Sequence, residues 1–289
     1  MCGRYTLTSS FANLQAEFDL AASPAPGALA APRYNVAPGQ MVPVVKNQPE
    51  RALTPARWGL VPYWADDPRI GNRMINARSE SVASKPAFRD ALSRRRCLVV
   101  ADGFYEWQEA ADGGRVGRGA GRSASRGASK IPHYVHRRSG APFGMAGLWE
   151  RWQAPDGTWL ESCTIITCDA NALMRPLHDR MPVILDRASY DRWLDPAPLP
   201  AAALQPLLHT PPVDDFEAYP VSTLVNAPQH DEPACIEPAP PPAEAEDDTR
   251  TDGPAGAAGA APGSRPARPA RPRKLRQSDV QPSLFDRKP

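Results

Sequence analysis

The sequence predicts an α+β fold. A single domain carries a curled, barrel-like, mainly antiparallel sheet flanked by short helices, and a disordered C-terminal tail follows it. Three observations lead there. Apolar residues fall mostly in short runs bounded by polar or turn residues, as buried strands do. Only two stretches repeat at helical spacing. Aromatic mass is segregated: residues 1–230 hold all seven Trp, all seven Tyr and six of seven Phe, whereas residues 231–289 hold only Phe285.

The elements follow in chain order. FANLQAEFDL (11–20) places Phe11, Leu14 and Phe18 on one helical face, with Ser9 or Ser10 available as a cap. An Ala/Pro stretch at 21–32 reads as a loop. MVPVV (41–45) and CLVVA (97–101) are apolar runs short enough to be buried strands, and IPHYVHR (131–137) and SCTIITC (162–168) read the same way. ASYDRWL (188–194) reads as a short helix. Many short strands with few helices favour a curled sheet.

Proline sharpens the boundaries. The chain has 35 prolines in 289 residues, against a usual share of about 5%. Residues 231–289 hold 12 of them and lack the apolar mass to offset chain entropy. The expected organisation is therefore a folded domain at 1–230, a disordered Pro/Ala-rich linker at 231–280, and a short peptide at 281–285. Within the domain, residues 110–130 form an insert rich in Gly, Ser and Arg, with five basic residues and one acid. It reads either as a solvated flexible loop or as a loop that touches phosphates.

Charge and cysteine usage exclude several classes. The net charge is +2, from 34 basic and 32 acidic residues. A massively basic nucleic-acid coat is ruled out, so any nucleic-acid contact is a local patch. No apolar run approaches the roughly 18 residues of a membrane span, and the N-terminus lacks a secretory pattern. The five cysteines (Cys2, Cys97, Cys163, Cys168, Cys235) are odd in number and lack zinc spacing. The expectation is a reduced, cytoplasmic, nucleoid-associated monomer with no metal or cofactor.

Cys2 offers distinctive chemistry. Initiator Met is commonly removed ahead of a small residue, which would leave a cysteine carrying both a free amine and a thiol. Their ordinary pKa values lie near 8 and 8.5, so both have a nucleophilic fraction at neutral pH. The amine condenses with an aldehyde to an imine, and the adjacent thiol closes a five-membered thiazolidine at high effective molarity. The plain alternative is a small residue at a frayed terminus.

Three partners stand out. Asn76 lies in INARSE (75–80). Glu106 lies in DGFYEW (102–107) among Phe104, Tyr105 and Trp107, where burial would suit it to proton transfer; a paired strand carboxylate is the plainer reading. His178, in RPLHDRMPV (175–183), reads as a proton carrier or as a structural histidine. His133 and His136 are an odd number of residues apart on an expected strand, so they face opposite ways and make a poor metal pair.

Taken in order, Met1-Cys2-Gly3-Arg4-Tyr5, RYNVAPG (33–39), WGLVPYW (58–64), INARSE, ADGFYEW (101–107) and LHDRMPV (177–183) resemble the SOS-response-associated peptidase (SRAP) family over about residues 2–230. The resemblance implies a DNA-protein crosslinking enzyme that protects abasic sites in single-stranded DNA, with the terminal Cys2 trapping the ring-opened sugar aldehyde. It implies catalytic roles for Cys2, Asn76, Glu106 and His178. Glu106 assists proton transfer and, with Asn76, orients the amine, while His178 promotes sugar ring opening. It also implies phosphate contacts from Arg4 and Arg78, and a DNA cleft or base stack involving Pro38 and Trp58 or Trp64.

The tail departs from the family's compact pattern. Gln281-Pro282-Ser283-Leu284-Phe285 resembles the short peptide by which bacterial repair proteins bind the sliding clamp: Leu284 and Phe285 would fill an apolar pocket, with Gln281 as polar anchor. Two competing functions remain at this level. One is a cysteine peptidase or autoprotease using Cys2, Glu106 and His178, though no motif announces an oxyanion hole. The other is a non-catalytic adaptor for single-stranded DNA.

Overall fold

The chain folds into two sheets with a seam between them. The computed structural model describes residues 2–21, 24, 28–29, 31–109, 130–210 and 214–240. In chain order the elements are β1 (Tyr5–Leu7), α1 (Phe11–Phe18), β2 (Arg33–Val36), β3 (Met41–Lys46), β4 (Leu53–Trp58), β5 (Asn76–Arg78), α2 (Arg89–Arg94), β6 (Arg96–Ala101) and β7 (Gly103–Glu109). Then come β8 (Lys130–Arg137), β9 (Phe143–Gln153), β10 (Trp159–Asp169), β11 (Arg180–Pro182), β12 (Ile184–Leu185), α3 (Tyr190–Trp193), α4 (Ala201–Leu204) and β13 (Phe216–Pro220).

Five strands close on themselves. β3 pairs with β4 and β6, β6 with β9, and β9 with β10, all antiparallel; β10 then meets β4 in parallel through Cys163 and Trp58. The predicted barrel-like, mainly antiparallel sheet is present. Its strands are apolar because closure buries them: Val44, Leu53, Leu98, Met145, Leu148 and Ile165 are all fully buried. Each such side chain contributes about 1.5–3 kcal/mol on burial. Closure also removes the unpaired edges of these strands.

The second sheet is open, in the order β13-β8-β7-β1-β2. The chain crosses from barrel to open sheet between β6 and β7, at Asp102. That carboxylate accepts hydrogen bonds from the Ser9 N–H at 2.8 Å and the Ser9 hydroxyl at 2.6 Å, and also from the Thr8 N–H. It thereby fixes the exit of β1. The next residue has to be glycine: a Cβ on Gly103 would lie 2.4 Å from the Tyr134 ring.

Helices cover the barrel as their sequences suggested. Ser10 caps α1 by accepting from Asn13 N–H at 3.3 Å, and Leu14 and Phe18 point inward, with Phe18 stacked on Tyr190 at 5.4 Å. Arg96 is fully buried and donates to the carbonyls of Trp193 (2.8 Å), Leu92 (3.0 Å) and Asp195 (2.6 Å), which fastens α2 and the α3 region to the barrel. Among the described residues no helix is long and apolar enough to cross a membrane.

The packed chain runs past the expected boundary at 230. Asp231 accepts from Asn35 N–H at 2.9 Å and pairs with Arg33 at 2.6 Å, Cys235 is buried, and Val221 bridges Pro238. An acidic, proline-bearing stretch reads as tail, yet its carboxylate satisfies backbone donors at edge strand β2. The insert at 110–129 and the segment 241–289 lie outside the described residues.

Candidate functional site

The seam between barrel and open sheet gathers Cys2, Asn76, Glu106 and His178. β1 pairs antiparallel with β7 through Tyr5–Phe104 and Thr6–Gly103. Carrying that register two residues on sets Glu106 opposite Gly3, next to Cys2. Asn76 arrives from the other side, on β5, which lies parallel to β10 with Asn76 beside Ile165. Its Nδ2 donates to the Cys2 carbonyl at 2.8 Å. Its Oδ1 is buried without a hydrogen-bond partner, an acceptor held ready at the first residues of the chain. His178 stands on the loop that enters β11.

The electrostatics of the seam suit proton transfer. Glu106 is only 2% exposed, and burial raises its carboxyl above the ordinary value near 4.5; the charge of His178 works against that rise. Burial also pushes the Cys2 thiol far up, and the charge of Glu106 adds to the effect. The thiol therefore rests protonated in the folded chain.

Two residues that the sequence reading did not single out hold two of the motif loops together. Arg180 of LHDRMPV clasps Glu80 of INARSE with two parallel bonds of 2.8 and 3.0 Å. It also reaches Asp169 at 2.6 Å and the Thr167 carbonyl at 2.7 Å. The guanidinium holds the Glu80 carboxyl below its usual range. Each partner is a charged residue inside a motif block, which was the available signal. Only the fold shows that they are a pair. An open groove of about 500 Å³ runs beside His178 between the end of β7 and residues 175–179, with Trp107, Lys130 and Arg175 among its walls.

The residues expected to touch DNA divide. Arg78 and Pro38 are exposed, and Trp64 is 48% exposed. Trp58 is a correction: it is 1% exposed, packs 5.3 Å from Tyr5, and donates its indole N–H to the Ile75 carbonyl at 2.9 Å, so it belongs to the core and offers no face to a base. Arg4 is half-buried, and its Nη1 is engaged by Asn35 Oδ1 at 2.7 Å and the Val225 carbonyl at 2.6 Å. Gln281, Leu284 and Phe285 lie outside the described residues. No cluster of three or more metal-ligating side chains occurs among the described residues.

Fold and site together define a small α+β protein with a near-terminal cysteine seated beside a buried carboxylate, an amide and an imidazole. Residues 1–228 match the family described as SOS response associated peptidase (SRAP), and the chain belongs to it. It is 41% identical over 238 residues to the abasic site processing protein YoqW of Bacillus subtilis, covering 82% of this chain and 99% of that one. It is 31% identical to the abasic site processing protein HMCES of Xenopus tropicalis, covering 71% of this chain and 65% of that one. Among solved structures, a Bordetella bronchiseptica protein aligns with a TM-score of 0.61 at 27% identity, covering 76% of this chain and all of that one. A Bacteroides thetaiotaomicron protein aligns at 0.68 and 24% identity, covering 82% of this chain and all of that one, and attests the fold.

Proposed function

We propose that this chain processes abasic sites in single-stranded DNA by forming a covalent thiazolidine crosslink through Cys2, once Met1 has been removed. The observation that carries the reading is the hold of Asn76 on the Cys2 carbonyl at 2.8 Å, beside the buried Glu106. The names of the relatives support abasic-site processing, and the seam chemistry supports the covalent step.

The steps follow from the protonation states. A thiol held protonated is a poor first nucleophile, so the terminal amine acts first. It adds to the ring-opened aldehyde, and loss of water leaves an imine. Glu106, with its raised pKa, passes protons between amine, carbinol oxygen and water. The thiol then adds across the C=N bond, its sulfur to carbon and its proton to nitrogen, and the ring closes. Asn76 Oδ1 accepts an N–H of the amine and orients its lone pair. His178 promotes opening of the sugar. A thiol peptidase fares worse, because it needs a thiolate where burial opposes one.

The test is a denaturing gel of purified protein with abasic single-stranded DNA. A slower band should appear, and it should vanish with Cys2→Ala or when residues are added ahead of Cys2. A band that survives in the Cys2 variant sinks the thiazolidine route. Intact mass should show loss of Met1.

A further inference from the structure

We propose that Asn226 is a positioning residue, which fixes the Trp107 ring as the surface where the nucleobase beside the abasic sugar stacks. The choice of a nucleobase rests on the single-stranded abasic substrate proposed above.

An abasic nucleotide has no base of its own. The strand can be gripped there through its phosphates or through the neighbouring bases, and a base is gripped by stacking on an aromatic face. Trp107 follows Glu106 on β7, and successive strand residues face opposite ways. Glu106 turns to the seam and Trp107 to the other side of the open sheet. The Trp107 ring is partly exposed and forms a wall of the groove beside His178. Arg4 lies over this ring with its guanidinium carbon 5.9 Å from the centroid, so a base has the opposite face to take.

Packing alone does not orient the ring. It rests against the buried cluster of Tyr105, Tyr134, Val221, Val225 and Cys235. Apolar contact is non-directional, and the χ2 torsion of a tryptophan is broad. The indole N–H supplies the direction by donating to Asn226 Oδ1 at 2.7 Å. An indole nitrogen can only donate, so the amide has to present its oxygen.

Asn226 is held from both sides. It ends the single turn Thr223–Asn226. Asn35, fully buried on β2, donates through Nδ2 to the carbonyls of Val225 at 3.3 Å and Ala227 at 3.1 Å, the residues before and after it. The same Asn35 accepts from Arg4 Nη1 at 2.7 Å, and Arg4 Nη1 also donates to the Val225 carbonyl at 2.6 Å. One buried amide thus sets both the cation over the ring and the acceptor at its edge. Asn226 itself is exposed, so removing its side chain empties no core site.

The experiment uses the full chain and fluorescent single strands with tetrahydrofuran at the lesion position. Tetrahydrofuran has no aldehyde, so anisotropy reads binding without crosslinking. One strand keeps its flanking bases, and the other carries tetrahydrofuran at both flanking positions as well. Wild type should bind the first strand about tenfold more tightly. Asn226→Ala should bind the first strand about five- to tenfold more weakly and the second as wild type does, with an unchanged Tm. Asn226→Asp keeps an acceptor oxygen and should keep the preference between strands. Trp107→Ala should lose the preference, and adding Asn226→Ala to it should change nothing further. In 1H–15N NMR the Trp107 indole N–H, assigned by its loss in Trp107→Phe, should shift in Asn226→Ala. A wild type without the preference, equal weakening on both strands, an additive double variant or an unmoved indole signal overturns the proposal. A protein that shows the preference but never crosslinks a true abasic strand overturns the functional reading alone.

Discussion

The barrel and the seam beside it are built from the same chain by opposite rules. In the barrel, the buried cations are answered: Arg96 donates to several carbonyls, and Lys46 pairs with Glu161 while lying 4.7 Å over the Trp149 ring. At the seam, burial is left partly uncompensated. Glu106 and Cys2 are driven toward their neutral forms, and Asn76 Oδ1 and Tyr5 Oη are buried without partners. Unanswered polar groups cost stability. A closed, edge-free barrel is what lets the molecule carry that cost beside it. The difference teaches where stability is stored and where reactivity is stored.

The comparison can be broken at its extremes first. Cys2→Ala should abolish the crosslinked band entirely while leaving Tm nearly unchanged, because one small buried side chain replaces another. Trp58→Ala tests the other side. It empties a fully buried indole site and removes one of the two donors to the Ile75 carbonyl, the Ile165 N–H remaining. The expected loss is about 3–5 kcal/mol, roughly two to four orders of magnitude in the unfolding equilibrium. Urea titration checks it. A Trp58→Ala protein of wild-type stability but failed DNA binding would return Trp58 to the DNA cleft.

Glu106→Gln should move activity and stability in opposite directions. Crosslinking should slow by about 10²–10³-fold, since a proton carrier is lost. The stability sign follows from linkage. The native carboxyl binds its proton more tightly than the unfolded one, so stability falls as pH rises from about 4.5 through the raised native pKa. The glutamine variant lacks that fall. Melting curves should therefore diverge above pH 4.5, with the variant the more stable by on the order of a few degrees at neutral pH. Convergent curves would show that Glu106 carries no burial penalty.

How much of this was legible in the sequence depends on the range of the signal. α1 and strands β3, β6, β8 and β10 announce themselves through local periodicity. β9 does not. Its run is interrupted by Gly144 and Gly147, and a Cβ on Gly147 would come within 2.9 Å of the Thr164 carbonyl and 3.0 Å of Cys97 Sγ. Glycine is there because β6 and β10 pack tightly on either side, a fact of the closed barrel. The same limit applies at the site. The resemblance picked out Cys2, Asn76, Glu106 and His178. That Arg180 clasps Glu80, a hundred residues away, is a tertiary fact with no local signature.

Trp64 gives the smallest expected effect and the sharpest contrast, because it shares one motif with Trp58. Trp58 ends β4 and turns inward. Gly59 follows with φ of 126° and lies against Gly71, where a Cβ would meet the Gly71 carbonyl at 2.6 Å. That turn redirects the chain, and Trp64 emerges with its ring 48% exposed. Stacking a base on such a ring contributes about 1–3 kcal/mol. Trp64→Ala should therefore weaken binding of single-stranded DNA by roughly tenfold in an anisotropy titration, with Tm held within about a degree. Trp64→Tyr should restore most of the affinity, since a second aromatic face is offered. Two tryptophans six residues apart would then differ in opposite observables, one in melting and the other in binding. If Trp64→Ala lowers Tm instead, Trp64 shares the structural role of Trp58 and the division between the two tryptophans fails.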